Sequence, residues 1–337
     1  MKNILVTGAA GSIGYETLKQ LIDKKQYHVT ALDLPTKKNK RKLKQFEKQA
    51  QLVYGSINEE SFIQKVVVDQ DVIIHLAAII PPLADQEPER TRQVNYFGTR
   101  NIVMAIKEYN PKCFLIYSSS VSVYGDRTKD PWIQVGDPLQ PSEGDYYALT
   151  KIETEQMIQE SNIPSTIFRL TGIMGRPETD PLMFHMPLST MLEIATTTDT
   201  ARAFVNAIDH TKQLNHHIYN LGSGEGCRTT YIEFLNHMFD IYGLNKYYIK
   251  EKYFAKQNFH CGYFKDSDLL NKILNFRQDT LETYYDRLRK DTNPFIKGVT
   301  QAFSGLILHH LMNHSEPYLA VKKNNSSLID RFFGKKN

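Results

Sequence analysis

The sequence predicts an α/β protein built on a doubly wound parallel sheet, with a small mixed lobe toward its C-terminal side. Between residues 3 and 170, short apolar runs alternate with amphipathic helical segments, the pattern of strands covered on both faces by helices. The first apolar run passes straight into a glycine-rich turn that opens a helix, as the first strand of such a sheet does.

Strands are predicted at residues 3–7, 28–33, 52–54, 72–76, 114–118 and 166–170, each followed by a turn-rich or helical stretch. After Gly175 the periodicity falters through Arg176, Pro177, Glu178, Thr179, Asp180 and Pro181. A helix from about Asp199 and a strand at 217–221 restore it. Helical spacing then marks 230–242, 266–274 and 280–289. The chain divides into a first unit, 1–175 with a return segment 196–225, a lobe of 176–195 and 226–290, and an extension, 291–337, that the core does not need. Residues 299–312 of the extension offer an apolar helical face around Phe303, Leu306, Ile307 and Leu311, followed by Tyr318, Leu319 and a basic end with Phe332 and Phe333. Core packing suits that face, and so does peripheral contact with an anionic membrane surface or a partner.

A length of 337 residues with 41% hydrophobic and 23% charged content is enough for one large core and a smaller lobe. The net charge of +4, from 41 basic against 37 acidic residues, is too small to argue for a nucleic-acid partner. Lys37, Lys38, Lys40, Arg41, Lys42 and Lys44 form a local basic run and Lys322, Lys323, Lys335 and Lys336 crowd the tail, both read as solvated faces. Cys113, Cys227 and Cys261 lie far apart with no CxxC pair, so neither a disulfide framework nor a thiolate metal site is expected. Reduced thiols, together with the absence of a signal-peptide pattern and of a long apolar span, make a cytoplasmic location the expectation.

The glycine turn reads Thr7-Gly8-Ala9-Ala10-Gly11-Ser12-Ile13-Gly14. Glycines at this spacing turn the chain tightly, bring main-chain N–H groups and a helix N-terminus up to a pyrophosphate, and let helix and strand pack closely. The predicted second strand ends on Asp33, about 20 residues further on, where a carboxylate accepts hydrogen bonds from an adenosine ribose and repels a 2′-phosphate. A dinucleotide-binding Rossmann unit with NAD as cofactor is therefore expected. The basic run from Lys37 keeps NADP as the lesser alternative, and a helix N-cap remains the plain reading of Asp33 alone.

Further motifs follow in order: His75-Leu76-Ala77-Ala78, Val94-Asn95 leading to Gly98-Thr99, Ser118-Ser119-Ser120 ahead of Val123-Tyr124-Gly125, and Tyr147-Ala148-Leu149-Thr150-Lys151. In a helix, Tyr147 and Lys151 share one face, so the ammonium and the nicotinamide together favour the phenolate of a residue whose ordinary pKa is near 10. Over residues 1–290 the sequence resembles the extended short-chain dehydrogenase/reductases, the group that includes sugar-nucleotide epimerases and dehydratases. The resemblance implies that Ser120 hydrogen-bonds the substrate oxygen and that Asn95 supports the site. It also implies that Leu76, Ala77 and Ala78 line the cofactor, and that the protein is a homodimer joined through helices around 99–109 and 147–160. Where relatives often place an Asp facing the adenine this chain has Ser56, and the backbone of Ile57 and Asn58 is expected to keep that contact.

Two departures narrow the chemistry. Val121 and Ser122 stand where the dehydratases carry an Asp–Glu pair, so dehydration is not expected. Gly172 and Leu192 stand where epimerases carry an Asn and an Arg that grip the substrate diphosphate, with Arg176, Arg202 and His185 as alternative cations. The expectation is an NAD-dependent oxidoreductase transferring hydride at a carbinol or ketone carbon of a small sugar-like substrate, with Ser120, Tyr147 and Lys151 as the catalytic set and no metal. An NDP-sugar epimerase with tightly bound NAD is the alternative, and a non-catalytic dinucleotide-sensing regulator the second.

Overall fold

The computed structural model describes residues 1–175, 181–246 and 249–335. Seven parallel strands form the main sheet: β1 (Lys2–Thr7), β2 (Tyr27–Asp33), β3 (Gln51–Tyr54), β4 (Val72–His75), β5 (Phe114–Ser120), β6 (Ser165–Leu170) and β7 (His217–Leu221), in the order β3-β2-β1-β4-β5-β6-β7. The order reverses at β1, which pairs with β2 on one side and β4 on the other, placing a crevice between the carboxyl ends of β1 and β4. Alternate residues of the strands feed two cores. Ile4, Val6 and Ile74 pack with Leu18, Phe168 and Phe204 on one face, and Leu5, Ile73 and Leu115 pack with Ile102, Ile106 and Ile158 on the other.

The first helix, Ser12–Lys24, ends on Lys25 in the left-handed region and is tied to the helix Thr197–Ala207 by Gln20 Nε2 donating to Thr198 O at 3.0 Å and Lys24 Nζ donating to Asn206 Oδ1 at 3.1 Å. All seven strand positions agree with the sequence reading to within a few residues. β5 runs two residues further than expected, to Ser120, because the serine run keeps pairing with β6.

The irregular stretch after β6 contains strands that the hydrophobic period does not announce. Gly172–Met174 and Met191–Thr196 pair in parallel, and Arg228–Thr230 pairs antiparallel to the latter, making a three-stranded mixed sheet. A two-stranded sheet joins Trp132–Ile133 to Tyr263–Phe264. The lobe core gathers Phe184, Leu192 and Ile194 against Leu235, Phe239 and Tyr285, the helix Tyr231–Tyr242 being set by a Thr230/Glu233 capping box and stopped by Gly243 at φ 75°.

The extension folds into four short helices, Pro294–Ala302, Ser304–Met312, Glu316–Lys322 and Ser326–Phe333. Core packing, one of the two readings of the sequence, holds for one side of it: Leu308 and Met312 are part of the lobe core, Leu311 packs against that core, and Ala320 and Phe332 are buried, whereas Phe303 and Leu306 of the face named from the sequence stay exposed. Long-range bonds to backbone carbonyls fix it, Ser315 Oγ donating to Tyr253 O at 2.5 Å and Lys256 N donating to Phe332 O at 2.8 Å. No described helix is long and apolar enough to cross a membrane.

Candidate active site

β1 delivers its chain into the crevice at Gly8, whose φ of +68° and close approach to the 76–77 backbone leave no room for a side chain: a Cβ would lie 2.7 Å from Ala77 N. A Cβ on Gly14 would collide with the Gly8 carbonyl, and Gly11 N donates to that carbonyl at 2.9 Å. No side chain caps the helix Ser12–Lys24, so its positive end, at Ser12 and Ile13, is left to an outside acceptor.

Thr7 and His75 lock the ends of β1 and β4 together. Thr7 Oγ1 accepts from Leu76 N at 3.2 Å and Ala77 N at 3.3 Å and therefore donates to His75 Nδ1 at 2.6 Å. Thr99 Oγ1 donates to Asn95 O at 2.6 Å and so accepts from His75 Nε2 at 2.8 Å. Burial and then the Lys151 cation push His75 down to about 3, consistent with a neutral ring in a structural role.

Asp33 closes the other end of the crevice. Its Oδ2 accepts from Ala10 N at 2.7 Å, and its Oδ1 accepts from Leu34 N at 2.7 Å and from Asn39 Nδ2 at 2.8 Å. Asn39 sits inside the basic run, which forms the helix Lys37–Leu43 with Thr36 as its cap. The run is not a uniformly solvated face. Lys42 Nζ donates to Ala10 O at 2.7 Å and stands 4.9 Å over the Tyr15 ring, with its pKa lowered by burial and Lys38 against the pull of Asp33. Beside Asp33, Gly55 N donates to Asp33 O at 3.1 Å, Ser56 Oγ accepts from Asn58 N at 3.2 Å, and the Ile57 carbonyl accepts from Asn101 Nδ2 at 3.0 Å.

The helix Tyr146–Ser161 begins at Asp145, whose side chain accepts from Ala148 N at 2.8 Å. Lys151 is 2% exposed, and its Nζ donates to Ser118 O at 2.6 Å, 5.6 Å from the Tyr147 ring and 4.6 Å from that of Tyr117. Ser120 ends β5 and caps the turn Val121–Tyr124 by accepting from Ser122 N at 3.1 Å. Electrostatics differ from the sequence expectation. Burial, followed by Asp145, raises the Tyr147 phenol well above its ordinary value, with only a hydrogen bond to Ser120 pulling it back. Burial lowers Lys151 to about 7 against the opposing pull of Glu155. The ammonium is aimed at the Ser118 carbonyl rather than the phenol, so desolvation outweighs the pairing that the four-residue spacing suggests.

Asn95 lies in the π-helical turn Gln93–Gly98, and its amide is fully committed: Oδ1 accepts from Ile79 N at 2.8 Å, and Nδ2 donates to Ile79 O at 2.9 Å and to Thr150 Oγ1 at 3.2 Å. It thereby braces the loop after Ala78 against the Tyr147 helix. Behind Lys151 is a buried network that sequence reasoning missed. Arg169 holds Glu155 through both oxygens, at 3.0 Å from Nε and 2.6 Å from Nη2, and donates to Tyr124 OH at 2.8 Å. Tyr124 OH donates to Asn220 Oδ1 at 2.7 Å, and Ser119 Oγ donates to Glu155. The signal available was Glu155 itself, one helical turn beyond Lys151 on the same face.

The alternative phosphate cations fare differently. Arg202 is spent on Asp199 and the Phe276 carbonyl, His185 pairs with Glu316 at 2.8 Å, and Arg176 lies outside the described residues. Gly172 and Leu192 are members of the lobe sheet, Val121 is buried packing, and Ser122, also buried, bonds Ser120 Oγ through its own hydroxyl at 3.0 Å.

The chain matches the model of the NAD dependent epimerase/dehydratase family over residues 4–191. The D-erythronate dehydrogenase of Haemophilus influenzae is 24% identical over 181 residues, 52% of this chain and 56% of that protein. The chain thus spans about half the length of the first curated relatives it matches. Among solved structures, the dTDP-glucose 4,6-dehydratase of Bacillus anthracis in complex with NAD superposes with a TM-score of 0.72 at 19% identity, covering 86% of this chain and 96% of that one. The UDP-glucuronic acid 4-epimerase of Bacillus cereus, in complex with UDP-glucuronic acid and NAD, gives 0.70 at 22% identity, covering 86% and 99%. These likenesses establish the shared fold.

Proposed function

Because this chain belongs to the NAD-dependent epimerase/dehydratase family, we propose that it is an NAD-dependent oxidoreductase of the extended short-chain type, acting at a carbinol or ketone carbon of a small sugar-like substrate. The observation that carries this reading is the convergence of Ser120, Tyr147 and Lys151 at the carboxyl edge of the sheet, beside a glycine cradle that a Cβ at Gly8 or Gly14 would fill. In this reading residues 1–175 with 196–225 form the cofactor unit, and 176–195 with 226–290 the substrate lobe.

Gly8, Gly11, Ser12, Ile13 and Gly14 would hold the pyrophosphate, Asp33 the adenosine ribose, Ser56 and Ile57 the adenine side, and Leu76, Ala77 and Ala78 the middle of the dinucleotide. Bound NAD supplies the hydride acceptor or donor. Tyr147 exchanges the proton of the substrate hydroxyl through its phenol oxygen, and Ser120 holds the same substrate oxygen as charge develops there. Lys151, 5.6 Å from the Tyr147 ring, would meet the ribose and stabilise the phenolate once it forms, while Asn95 keeps the helix in register. Native mass spectrometry combined with a turnover screen of sugars, sugar acids and sugar nucleotides tests the reading. Turnover with exchangeable NAD supports it, retained NAD with isomer interconversion selects the epimerase, and NAD binding without any turnover selects the regulator.

Asp33 is expected to make NAD bind at least about tenfold more tightly than NADP, through ribose hydrogen bonds and repulsion of a 2′-phosphate. Asp33→Ala narrows that gap, because it leaves Lys38 and Lys42 without their opposing charge. Titration of both dinucleotides decides it, and NADP preference in the unmodified protein would reverse the assignment.

We also propose two assemblies. Met104 and Leu149 are exposed on the helices Thr99–Tyr109 and Tyr146–Ser161, as a homodimer through these helices requires, and light scattering reads the assembly. On the extension, Phe295 (79% exposed), Ile296 (61%), Phe303 (54%) and Leu306 (71%) form an apolar surface. Residues 292–315 contain no Asp or Glu and include Lys297, so an anionic lipid surface complements it. Because the extension joins the lobe core, the clean test is the double variant Phe295→Ser/Leu306→Ser. It should lose flotation with phosphatidylglycerol vesicles, and unchanged flotation sinks the idea. Three buried, unpaired cysteines suit a reducing, cytoplasmic compartment.

A further inference from the structure

The helix Ser326–Phe333 returns to the body of the protein near the start of the Tyr147 helix. Its path is fixed by Lys256 N donating to Phe332 O at 2.8 Å, Gln257 Nε2 donating to Asp330 O at 3.2 Å, and the Phe332 ring 4.9 Å from that of His185. This carries Arg331 onto Gly144, the residue before the helix cap Asp145. A Cβ at Gly144 would lie 3.3 Å from the guanidinium carbon, and the φ of +77° there keeps the position for glycine.

Arg331 has no hydrogen bond and no ion pair among the described residues, and its Nε is sealed from solvent without a partner. Of the five donors a guanidinium carries, the one on Nε is shut away from water without an acceptor, which is costly, and the Phe332 ring 5.4 Å from the guanidinium carbon offers it no hydrogen bond. Asp85 is in the mirror situation, its Oδ1 buried and unpartnered. It lies on the short helix Leu83–Gln86, which packs on the Tyr147 helix and continues the loop that Asn95 braces at Ile79. The neighbouring charges are already committed. Asp145 caps Ala148 N and stands 3.6 Å from His260, and Glu316 pairs with His185 at 2.8 Å. Burial and then Asp145 raise the pKa of Asp85, with Arg331 and His185 opposing, so these groups share one electrostatic neighbourhood. Arg331 and Asp85 are opposite in charge yet remain unpaired, both close to the N-terminal end of the Tyr147 helix.

We propose that Arg331 and Asp85 form a subsite of the candidate active site that takes the far end of the substrate, an oxyanion on Arg331 and an adjacent hydroxyl on Asp85. The guanidinium fork suits a carboxylate or a phosphate in two-point geometry, and Asp85 suits a polyhydroxylated neighbour. The substrate class is therefore a sugar acid or a sugar phosphate. This deepens the functional reading above and rests on it. It also gives the extension a role in specificity, supplying a cation that the lobe itself lacks at Gly172 and Leu192.

The test uses the full chain loaded with NAD and a panel of aldonates, aldose phosphates and the matching neutral polyols. Arg331→Ala should raise KM for the anionic members by about ten- to a hundredfold, the scale of a lost charge-assisted hydrogen bond. It should leave kcat, NAD affinity and the KM of neutral members near wild type, and Arg331→Lys should recover part of the loss. Whichever anionic class shows the Arg331-dependent KM identifies the oxyanion. An equal rise for anionic and neutral members means that Arg331 only anchors the tail and overturns the proposal, as does a wild-type enzyme with no preference for the anionic members. Tyr147→Phe on the same panel separates the two levels: if it keeps full turnover the functional reading fails, whereas loss of turnover there with no KM effect at Arg331 removes only the subsite.

Discussion

Tyr147→Phe is expected to lower turnover by about 10²–10⁴ while leaving the thermal midpoint and NAD affinity close to those of the unmodified protein. The substitution deletes one oxygen and keeps the ring, whose packing over the Lys151 side chain is unaffected. The phenol is buried and raised by its surroundings, so it is poised to hold its proton until the substrate and the dinucleotide change the local field. Ser120→Ala should reduce turnover without releasing cofactor. Lys151→Met should reduce both, because it removes the cation that would meet the ribose of bound NAD. Steady-state kinetics on any substrate from the screen, with cofactor titration alongside, separates these patterns. Wild-type turnover in Tyr147→Phe would falsify the mechanism whatever the substrate proves to be.

Breaking the Glu155–Arg169 pair should be the most damaging single change to stability. Both side chains are almost completely buried, Glu155 is held through both oxygens, and Arg169 also serves Tyr124. Removing the carboxylate strands a guanidinium in the interior, which costs about 3–5 kcal/mol in comparable buried pairs. Glu155→Ala should therefore shift the urea midpoint strongly, and Glu155→Gln, which keeps one acceptor, should shift it less. Because Glu155 also opposes the burial that lowers Lys151, the variant should lower the Lys151 pKa further, visible as activity lost at a lower pH than in the unmodified enzyme. A shift below about 1 kcal/mol, the scale of an exposed pair, would show that the network is not structurally coupled.

What the sequence made legible was local. The glycine turn, the apolar run before it and Asp33 at the end of the next strand are each set by a few neighbouring residues, and the seven strands fall close to where their hydrophobic runs place them. Tyr147 and Lys151 could be paired from helical geometry alone. The misses are non-local. Gly172–Met174 is too short to show a period, and it exists because Met191–Thr196 comes alongside it. Arg169 on Glu155 and Arg331 on Gly144 depend on how separate elements are brought together, and Asn39 reaches Asp33 only because the chain turns at Thr36 into the next helix. Lys42 read as one charge among six until the fold placed it against the glycine turn. The direction of Lys151 toward Ser118 likewise depends on a strand neighbouring the helix, which spacing along the helix cannot reveal.

The strand order carries a consequence for how the protein is made. After β2 and β3 have returned to one side of β1, every later strand is laid on the edge left by its predecessor: β4 on β1, β5 on β4, β6 on β5 and β7 on β6. A chain leaving the ribosome can extend this sheet one strand at a time, without prising apart strands already paired. Gly144 must nevertheless wait for Arg331, a delay on the order of ten seconds or more at about 5–20 residues per second. During that interval the cradle at Gly8 and Gly14 is already complete and the far wall beside Asp145 is not, so the nascent chain is expected to take up NAD before it can retain a substrate.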